Sequence, residues 1–365
     1  MKTLQKAIDF TLLGLLVCCA ACVDSPSVAR PKQIDKPIAS FEGLPPIMFS
    51  PDGNWLAQLR AIRDTATWKS QTKSPNEADY WDKVQDFSPD SKLLAIGSRE
   101  GTIHVYDVPA FTPRMAFATD HGSITGLAFT ADGKAIIAAC FNKKIGKWPI
   151  DFERKESNTE MPLKMQVPMQ RYMGTSGDID AFAISPDRTQ FAVSNSSFTR
   201  IISAEDLHEI RTFKNGIDKF DPVNAVSFSP NGKQLLVVSA AQLHVHSIET
   251  GIEPLEIKTE HKHYHTSGSW CQSGRVVVVL YYAKSSNSVL EFFDVDSQKS
   301  LGAFVPHGNL GPAGSQVMTS PDGTLIATTG ARSGLGKTDI RIWNIDQIMQ
   351  KLYPTPLPVQ EDSPN

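Results

Sequence analysis

Residues 87–108 read FSPDSKLLAIGSREGTIHVYDV, and this stretch decides the fold class. A Ser-Pro-Asp turn comes first, an apolar run follows, and a second apolar run comes after the polar residues 99–101. Proline fixes φ for a tight turn, and short apolar runs bounded by turn residues are typical of strands. The stretch therefore predicts two antiparallel strands that are entered through a tight turn.

The same turn recurs seven times along the chain. Its members are FSPDG at 49–53, FSPDS at 87–91, FTADG at 129–133, ISPDR at 184–188, FSPNG at 228–232, WCQSG at 270–274 and TSPDG at 319–323. The spacing runs from 38 residues (50 to 88) to 55 residues (130 to 185), which is room for four short strands per unit. No segment of this body keeps a long helical period, so the sequence predicts an all-β chain.

The succession of turn, first apolar run and second apolar run resembles the WD-repeat family of β-propellers. The likeness covers residues 38–350, and it implies seven four-stranded antiparallel blades around a central channel. The family's terminal dipeptide stands here as Tyr106-Asp107, Phe293-Asp294 and Trp343-Asn344, and it decays to Trp148-Pro149 and His246-Ser247. The family's structural histidine corresponds to His121 and to His307. The decayed dipeptides mean that the resemblance implies the fold but no particular partner.

The first strand of the body is expected to close the ring. The outer strands share a loose pattern of an aliphatic residue followed by Phe, as in residues 115–117, 210–213 and 301–304. Residues 38–41 match this pattern but precede the first turn, so they have no unit of their own. We expect them to pair with the strand at 339–345 and remove an open sheet edge. The rival is the segment 350–357, whose prolines suit a strand poorly.

The amino-terminal residues have the features of an export signal. Lys2 and Lys6 precede the uncharged run 10–23, which is shorter than the roughly 20 residues that a membrane-spanning helix needs. The run ends in Cys19-Ala20-Ala21-Cys22, which resembles the lipobox of bacterial lipoproteins. That resemblance implies a signal peptide at 1–21 and a lipid on Cys22. A plain cleaved signal and a short uncut anchor are the alternatives.

The remaining segments complete the expected organisation. Residues 22–37 are a polar tether, and residues 351–365 are a proline-rich tail. Val23, and not Asp, follows the cysteine. By resemblance to lipoprotein sorting, this implies an exported protein anchored to the outer membrane and facing the periplasm.

The overall composition excludes two classes of protein. The formal net charge is -3 at pH 7, and Lys and Arg are not clustered on one repeated position, so no nucleic-acid partner is expected. The mean hydropathy is -0.22, which excludes a polytopic membrane protein.

Four groups of residues could carry chemistry. Residues 331–338, ARSGLGKT, fit a permissive phosphate-loop pattern, but no helix is expected after them, so an inter-strand loop is preferred. His261, His263 and His265 could present three imidazoles on a strand, but no fourth ligand is near, so we expect a polar loop and no tight metal site. Two further groups are a methionine series and two cysteines: Met161, Met165, Met169 and Met173, and Cys140 with Cys271. The methionines favour an adaptable apolar edge over a copper site, and the cysteines favour buried thiols over a disulfide.

These patterns predict a non-enzymatic platform for protein–protein interaction, a monomeric propeller held in the envelope by its lipid. No catalytic signature, cofactor site or metal site is expected. Two alternatives stay open: a propeller hydrolase or lactonase with a polar cluster in the channel, and a metal-binding envelope protein.

We expect Cys22→Ser to stop acylation and to leave an unprocessed, mislocalised precursor, because the thiol is the acceptor of the lipid. Cys18→Ser is the matched control and should have little effect. Mass spectrometry of the mature amino terminus checks this. An unmodified terminus, or a lipid on Cys18 or Cys19, would contradict the assignment.

Overall fold

Seven antiparallel sheets follow one another along the chain, and each is built around one of the predicted turns. The computed structural model describes residues 36–59, 61–73, 84–119, 121–141, 144–150, 179–195, 197–215, 222–249, 252–259, 264–282, 288–307, 316–331 and 338–353. Across these ranges no helix combines the length and apolar character needed to cross a membrane. The predicted signal peptide and Cys22 lie outside them.

The first three blades occupy residues 47–149. Strand β1 (Ala39–Gly43) precedes them, and blade 1 contains β2 (Ile47–Phe49), β3 (Trp55–Gln58), β4 (Ala61–Asp64) and β5 (Ser70–Lys73). Blade 2 contains β6 (Val84–Phe87), β7 (Leu93–Gly97), β8 (Thr102–Asp107) and β9 (Thr112–Ala118). The described strands of blade 3 are β10 (Ile124–Phe129), β11 (Ala135–Cys140) and β12 (Lys144–Pro149).

The other four blades complete the ring. Blade 4 contains β13 (Ala181–Ile184), β14 (Gln190–Ser194), β15 (Phe198–Ser203) and β16 (Glu209–Lys214). Blade 5 contains β17 (Val223–Phe228), β18 (Gln234–Ser239), β19 (Leu243–Ser247) and β20 (Leu255–Ile257). Blade 6 contains β21 (Tyr264–Cys271), β22 (Val276–Tyr282), β23 (Ser288–Asp294) and β24 (Lys299–Phe304). Blade 7 contains β25 (Val317–Thr319), β26 (Leu325–Ala331), β27 (Thr338–Asn344) and β1. The predicted seven-bladed all-β propeller is confirmed.

The repeated turn joins the first and second strands of a blade, and its residue types follow from its geometry. In blade 2, Ser91 N donates to Ser88 O at 2.9 Å, and Ser88 Oγ donates to Asp90 Oδ1 at 2.6 Å. The fourth turn residue has a positive φ, as at Gly53 (72°) and Ser91 (60°). Glycine reaches this region without steric cost, which explains why the turn favours it. In blade 6 a short 3-10 turn, Gln272–Gly274, takes its place.

The amino-terminal strand closes the ring, as predicted. β1 pairs antiparallel with β27, from Ala39 opposite Ile342 to Gly43 opposite Thr338. Side chains lock this pairing on the neighbouring blade: the Phe41 ring stacks on Trp68 with centroids 6.2 Å apart, and the Arg63 guanidinium lies 4.0 Å from the Phe41 centroid. The first strand therefore joins blade 7 to blade 1.

The rival closing segment begins as a helix instead of a strand. Helix α1 (Ile345–Leu352) follows β27 directly, and Asn344 caps it by accepting a hydrogen bond from Gln347 N at 2.9 Å. Its buried residues are Ile345, Ile348, Met349 and Leu352, which recur at helical spacing. This face packs on the outside of blades 6 and 7. This helix was not expected from the sequence, because one short amphipathic stretch is hard to distinguish among repeated strands.

The ring has two distinct faces. We call the face with the seven turns after the inner strands the turn face, and the opposite one, where the inner strands begin, the mouth face. β1 is antiparallel to β27, which runs in the same direction as the inner strand β25. β1 therefore starts at the turn face with Ala39 and ends at the mouth face with Gly43.

We expect Phe41→Ala to lower the free energy of unfolding by about 2 kcal/mol or more, because it removes the ring that locks β1 on blade 1. Ile38→Ala is the matched control: its side chain is 47% exposed, so its effect should stay within about 0.5 kcal/mol. Urea denaturation followed by tryptophan fluorescence measures both. Equal effects of the two variants would show that this lock contributes little to closure.

Candidate functional site

The inner strands of the seven blades enclose a central cavity of about 610 Å³. Every blade contributes to its wall, for example through Met48, Val84, Leu127, Phe182, Asn224, Thr266 and Met318. This volume lies within the range of about 300–1,000 Å³ that is common for ligand pockets. The channel is therefore large enough to admit a small molecule or a few side chains of a partner.

The cavity lies nearer the mouth face than the turn face. Phe49, Phe87, Phe129 and Phe228 end four of the inner strands, and all four are buried and are not part of its wall. At the mouth face the wall includes polar residues near the start of the inner strands or immediately before it: Asp180, Asn224, Thr266 and Gln316. A ligand or partner would therefore meet this polar mouth first and the apolar wall below it.

Amide side chains of the wall join neighbouring blades. Gln316 bonds both backbone groups of Ile47: Ile47 N donates to Oε1 at 2.9 Å, and Nε2 donates to Ile47 O at 3.2 Å. Gln85 Nε2 donates to Pro46 O at 3.0 Å, and Asn224 Nδ2 donates to His265 O at 2.6 Å. These contacts tie blade 7 to blade 1, blade 2 to blade 1, and blade 5 to blade 6. They keep the channel walls in register.

A buried ion pair holds blades 2, 3 and 4 together beside the cavity. Arg188 lies in the turn of blade 4, and its guanidinium donates to Asp86 at 2.6 Å (Oδ2) and 3.2 Å (Oδ1). It also donates to Phe129 O at 3.0 Å and to Phe87 O at 2.9 Å. Burial raises the pKa of the Asp86 carboxyl, and the Arg188 guanidinium opposes that rise. The guanidinium thus satisfies oxygen atoms of two other blades at once.

The position of Arg188 in its turn carries a backbone cost. Its φ is 58°, a region that side chains disfavour and that glycine fills in four other turns. The four hydrogen bonds of the guanidinium offset this cost. The motif ISPDR already departs from the common Gly at this position, and that departure is the sequence signal that could have pointed to a special role.

Blade 7 retains the hydrogen-bonded network expected around a structural histidine. His307 Nε2 and Thr328 Oγ1 are 2.8 Å apart, and Trp343 Nε1 donates to the same Thr328 Oγ1 at 2.9 Å. His307 Nδ1 lies 3.5 Å from Asp339 Oδ2, and Ser40 Oγ of the closing strand donates to Asp339 Oδ1 at 3.1 Å. The network therefore includes the strand that closes the ring. His121 of blade 3 lies near Trp148, with ring centroids 6.3 Å apart.

The electrostatics of this network favour an ionised aspartate beside a neutral histidine. Burial alone would raise the pKa of the Asp339 carboxyl, but His307 and the Arg341 guanidinium lower it to about 2. Burial lowers the pKa of His307, and the neighbouring Asp339 carboxylate only partly opposes this. The network is therefore a structural support at neutral pH.

The histidine triplet is not a simple loop. His265 lies in β21 and is fully buried, which corrects the expectation that it belongs to a polar loop between blades. Its Nδ1 lies 3.3 Å from Ser239 O, and its ring meets Tyr281 edge-on. His261 and His263 lie outside the described residues. Pairing of β21 with β22 and packing of blade 5 against β21 bury the imidazole. The alternation of the histidines in the sequence does not indicate this burial.

The other candidate groups separate in the structure. Thr338 begins β27 and pairs with Ala331 at the end of β26, so a strand and not a helix follows the glycine-rich segment. Cys140 and Cys271 are buried free thiols, as predicted. Burial raises the pKa of Cys140 to about 11 and also raises that of Cys271, so both stay protonated. The four methionines lie outside the described residues. Where the chain is described, no three His, Cys, Asp or Glu side chains are grouped to hold a metal.

Comparison with known proteins agrees with this architecture. Residues 82–107 match the model described as WD domain, G-beta repeat. The fold is a WD40-like β-propeller. Over 84% of the chain and all of the other protein, it superposes on the β-propeller domain of Cps50 (Swd1) from Myceliophteria thermophila, with a TM-score of 0.65 and 12% identity.

A similarity in sequence extends over part of the propeller. The chain is 24% identical over 200 residues to Periodic tryptophan protein 2 of Arabidopsis thaliana. The match covers 52% of this chain but 20% of that protein, so the chain spans a fifth of the length of this relative.

We expect Arg188→Gly to lower the free energy of unfolding by about 2–4 kcal/mol, because it leaves the buried Asp86 carboxylate without its cation while relieving about 1 kcal/mol of backbone strain. The double variant with Asp86→Asn should recover at least half of that loss. Denaturant unfolding of the single and double variants measures both.

Ser91→Gly is the matched control for this cycle. It relieves the same left-handed backbone in blade 2 and loses one hydrogen bond, from Asp52 N, so its effect should stay within about 1 kcal/mol. Additive losses for Arg188→Gly and Asp86→Asn would show that the ion pair does not couple the blades.

Proposed function

We propose that this chain is a lipid-anchored scaffold of the bacterial envelope that binds a protein partner at the mouth face of its propeller. The observation that carries the proposal is the central cavity of about 610 Å³, with its polar mouth and half-buried apolar wall. In a propeller the strands are paired within the blades, so the loops and the channel are the surfaces available for binding. WD40 propellers in general serve as protein-interaction scaffolds.

The chemistry of the wall supports binding over catalysis. Its two carboxylates are Asp86 and Asp180, and Asp86 is engaged by the Arg188 guanidinium. Met48, Met318 and Phe182 supply apolar surface, and methionine adapts readily to partners of varied shape. A partner segment that placed an apolar side chain in the channel would bury this surface.

The predicted anchor is compatible with docking at the mouth face. β1 starts at the turn face, so the tether 22–37 would attach there. A tether of 16 residues would be long enough to hold the domain off a membrane. The face that carries the channel mouth is then the one opposite the point of attachment.

Two matched charge reversals test which face binds. Asp180→Arg alters the mouth, and Asp296→Arg makes the same change at an exposed position on the turn face. We expect a partner crosslinked to the wild-type chain in intact envelopes to be lost from Asp180→Arg, because the new side chain obstructs the mouth, and to be retained by Asp296→Arg. Quantitative mass spectrometry of the crosslinked species measures this.

The opposite result, loss from Asp296→Arg alone, would place the partner at the turn face. Retention by both variants would exclude the mouth as the binding surface. A wild-type chain that crosslinks to no protein above the background of untagged cells would overturn the scaffold function itself. Thermal unfolding of both variants verifies that the substitutions leave the fold intact.

A further inference from the structure

The seam between blades 4 and 5 contains a buried histidine without hydrogen bonds. His246 lies on β19 and is 1% exposed, and neither ring nitrogen has a partner. A neutral imidazole carries one N–H donor and one acceptor, so both groups are desolvated without compensation. Such a group in a native core requires an explanation.

Comparison of blade 5 with blade 7 shows how this arises. His246 pairs with Leu235 as Trp343 pairs with Ile326, so the two rings occupy equivalent positions. In blade 7 the hydroxyl of Thr328, two residues beyond Ile326, accepts the indole N–H. The equivalent residue in blade 5 is Val237, which has no acceptor. The ring at this position of blade 5 is titratable, and the hydroxyl that accepts from the ring in blade 7 has no counterpart at Val237.

The side chain of Arg211, on blade 4, also holds this seam. Phe213 on the outer strand of blade 4 packs on His246, with ring centroids 4.6 Å apart. Two residues earlier, Arg211 donates to Ser247 O at 3.1 Å and to Ile248 O at 2.9 Å, and also to Glu249 O. The guanidinium therefore joins blade 4 to the backbone of blade 5 directly beside the imidazole.

The charged surroundings of His246 disfavour a proton. Burial, His244 on the same strand and Arg211 on β16 all disfavour protonation of the His246 ring. The ring centroids of His244 and His246 are 6.0 Å apart. Glu256, opposite His244 on β20, is exposed, and strands β17 and β18 carry no charged side chain. No carboxylate reaches the ring among the contacts the structure describes. An imidazolium at this site would be desolvated and would face a fixed positive charge.

We propose that the seam between blades 4 and 5 is an acid-sensitive hinge of the ring, opened by protonation of His246. In the closed seam the proton lacks an acceptor, whereas in the open seam water hydrates the imidazolium and the Arg211 guanidinium. Opening at this seam would widen the channel between blades 4 and 5 without breaking the pairing of β1 with β27. Acid would thus alter the shape of the channel before it unfolds the ring.

The direction of the pH dependence follows from linkage. Burial, reinforced by His244 and Arg211, lowers the pKa of His246 to about 4, below its ordinary value of 6.5. Below pH 6.5 His246 binds a proton in the open form but not in the closed form. The population of the open form therefore rises about tenfold per pH unit until pH 4. Between pH 7.5 and pH 5 the expected rise is about 30-fold.

Hydrogen exchange of the full-length chain tests the hinge. We expect protection factors in β16, β19 and β20 to fall about 30-fold from pH 7.5 to pH 5, while those in β3 and β4 of blade 1 change by less than about threefold. Strands β3 and β4 are the internal reference, because blade 1 has no histidine among its strands, whereas the junction with blade 7 adjoins His307. This comparison needs no variant.

His246→Phe should abolish the acid response of the seam, because phenylalanine keeps the contact with Phe213 and cannot be protonated. The matched control is His208→Asn, which removes an exposed histidine of the turn before β16 and should leave the wild-type response unchanged. Equal protection of the wild-type seam at both pH values would overturn the proposal. So would an acid response that persists in His246→Phe, or loss of protection in all blades together.

Discussion

Pairing between the first and last strands is the constraint on which the rest of the structure depends. Without β1, blade 7 would end at β27 and blade 1 would lose the ring of Phe41 that Arg63 and Trp68 enclose. The cavity exists only because seven blades surround it, and the amide bridge of Gln316 to Ile47 spans the same junction from the inside. Contacts on the outer and inner sides of one junction therefore maintain both the closed sheet edge and the channel.

Much of the fold could be predicted because the local geometry of the repeated turn requires particular residue types. The repeated turn needs a positive φ at its fourth residue, so glycine stands there in most blades, with Ser91 and Arg188 as the exceptions in blades 2 and 4. The ring closure was predictable for a related reason: Phe41 matches the outer-strand pattern of Phe117, Phe213 and Phe304. Helix α1 was missed because its four buried residues form a single short amphipathic pattern.

The candidate site was less predictable, since it depends on contacts between blades. Arg188 and Asp86 are 102 residues apart, and only the closed ring brings the guanidinium to the carboxylate. The burial of His265 likewise depends on packing of β21 against blade 5. No local pattern records such contacts. His246 illustrates the same limit, because its lack of a partner follows from the valine at position 237, a residue that is ordinary in any strand.

The closure also constrains the order in which the chain can fold. Ser40 and Asp339 are separated by 299 residues, so the last contact of blade 7 requires nearly the whole polypeptide. Each inner hairpin can form from local sequence, whereas β1 must remain without its partner until β27 has been made. A chain that emerges from its amino terminus therefore presents an unpaired strand for most of its synthesis. Protection of that strand by a chaperone, or delayed folding until the full length is available, becomes a requirement of this topology.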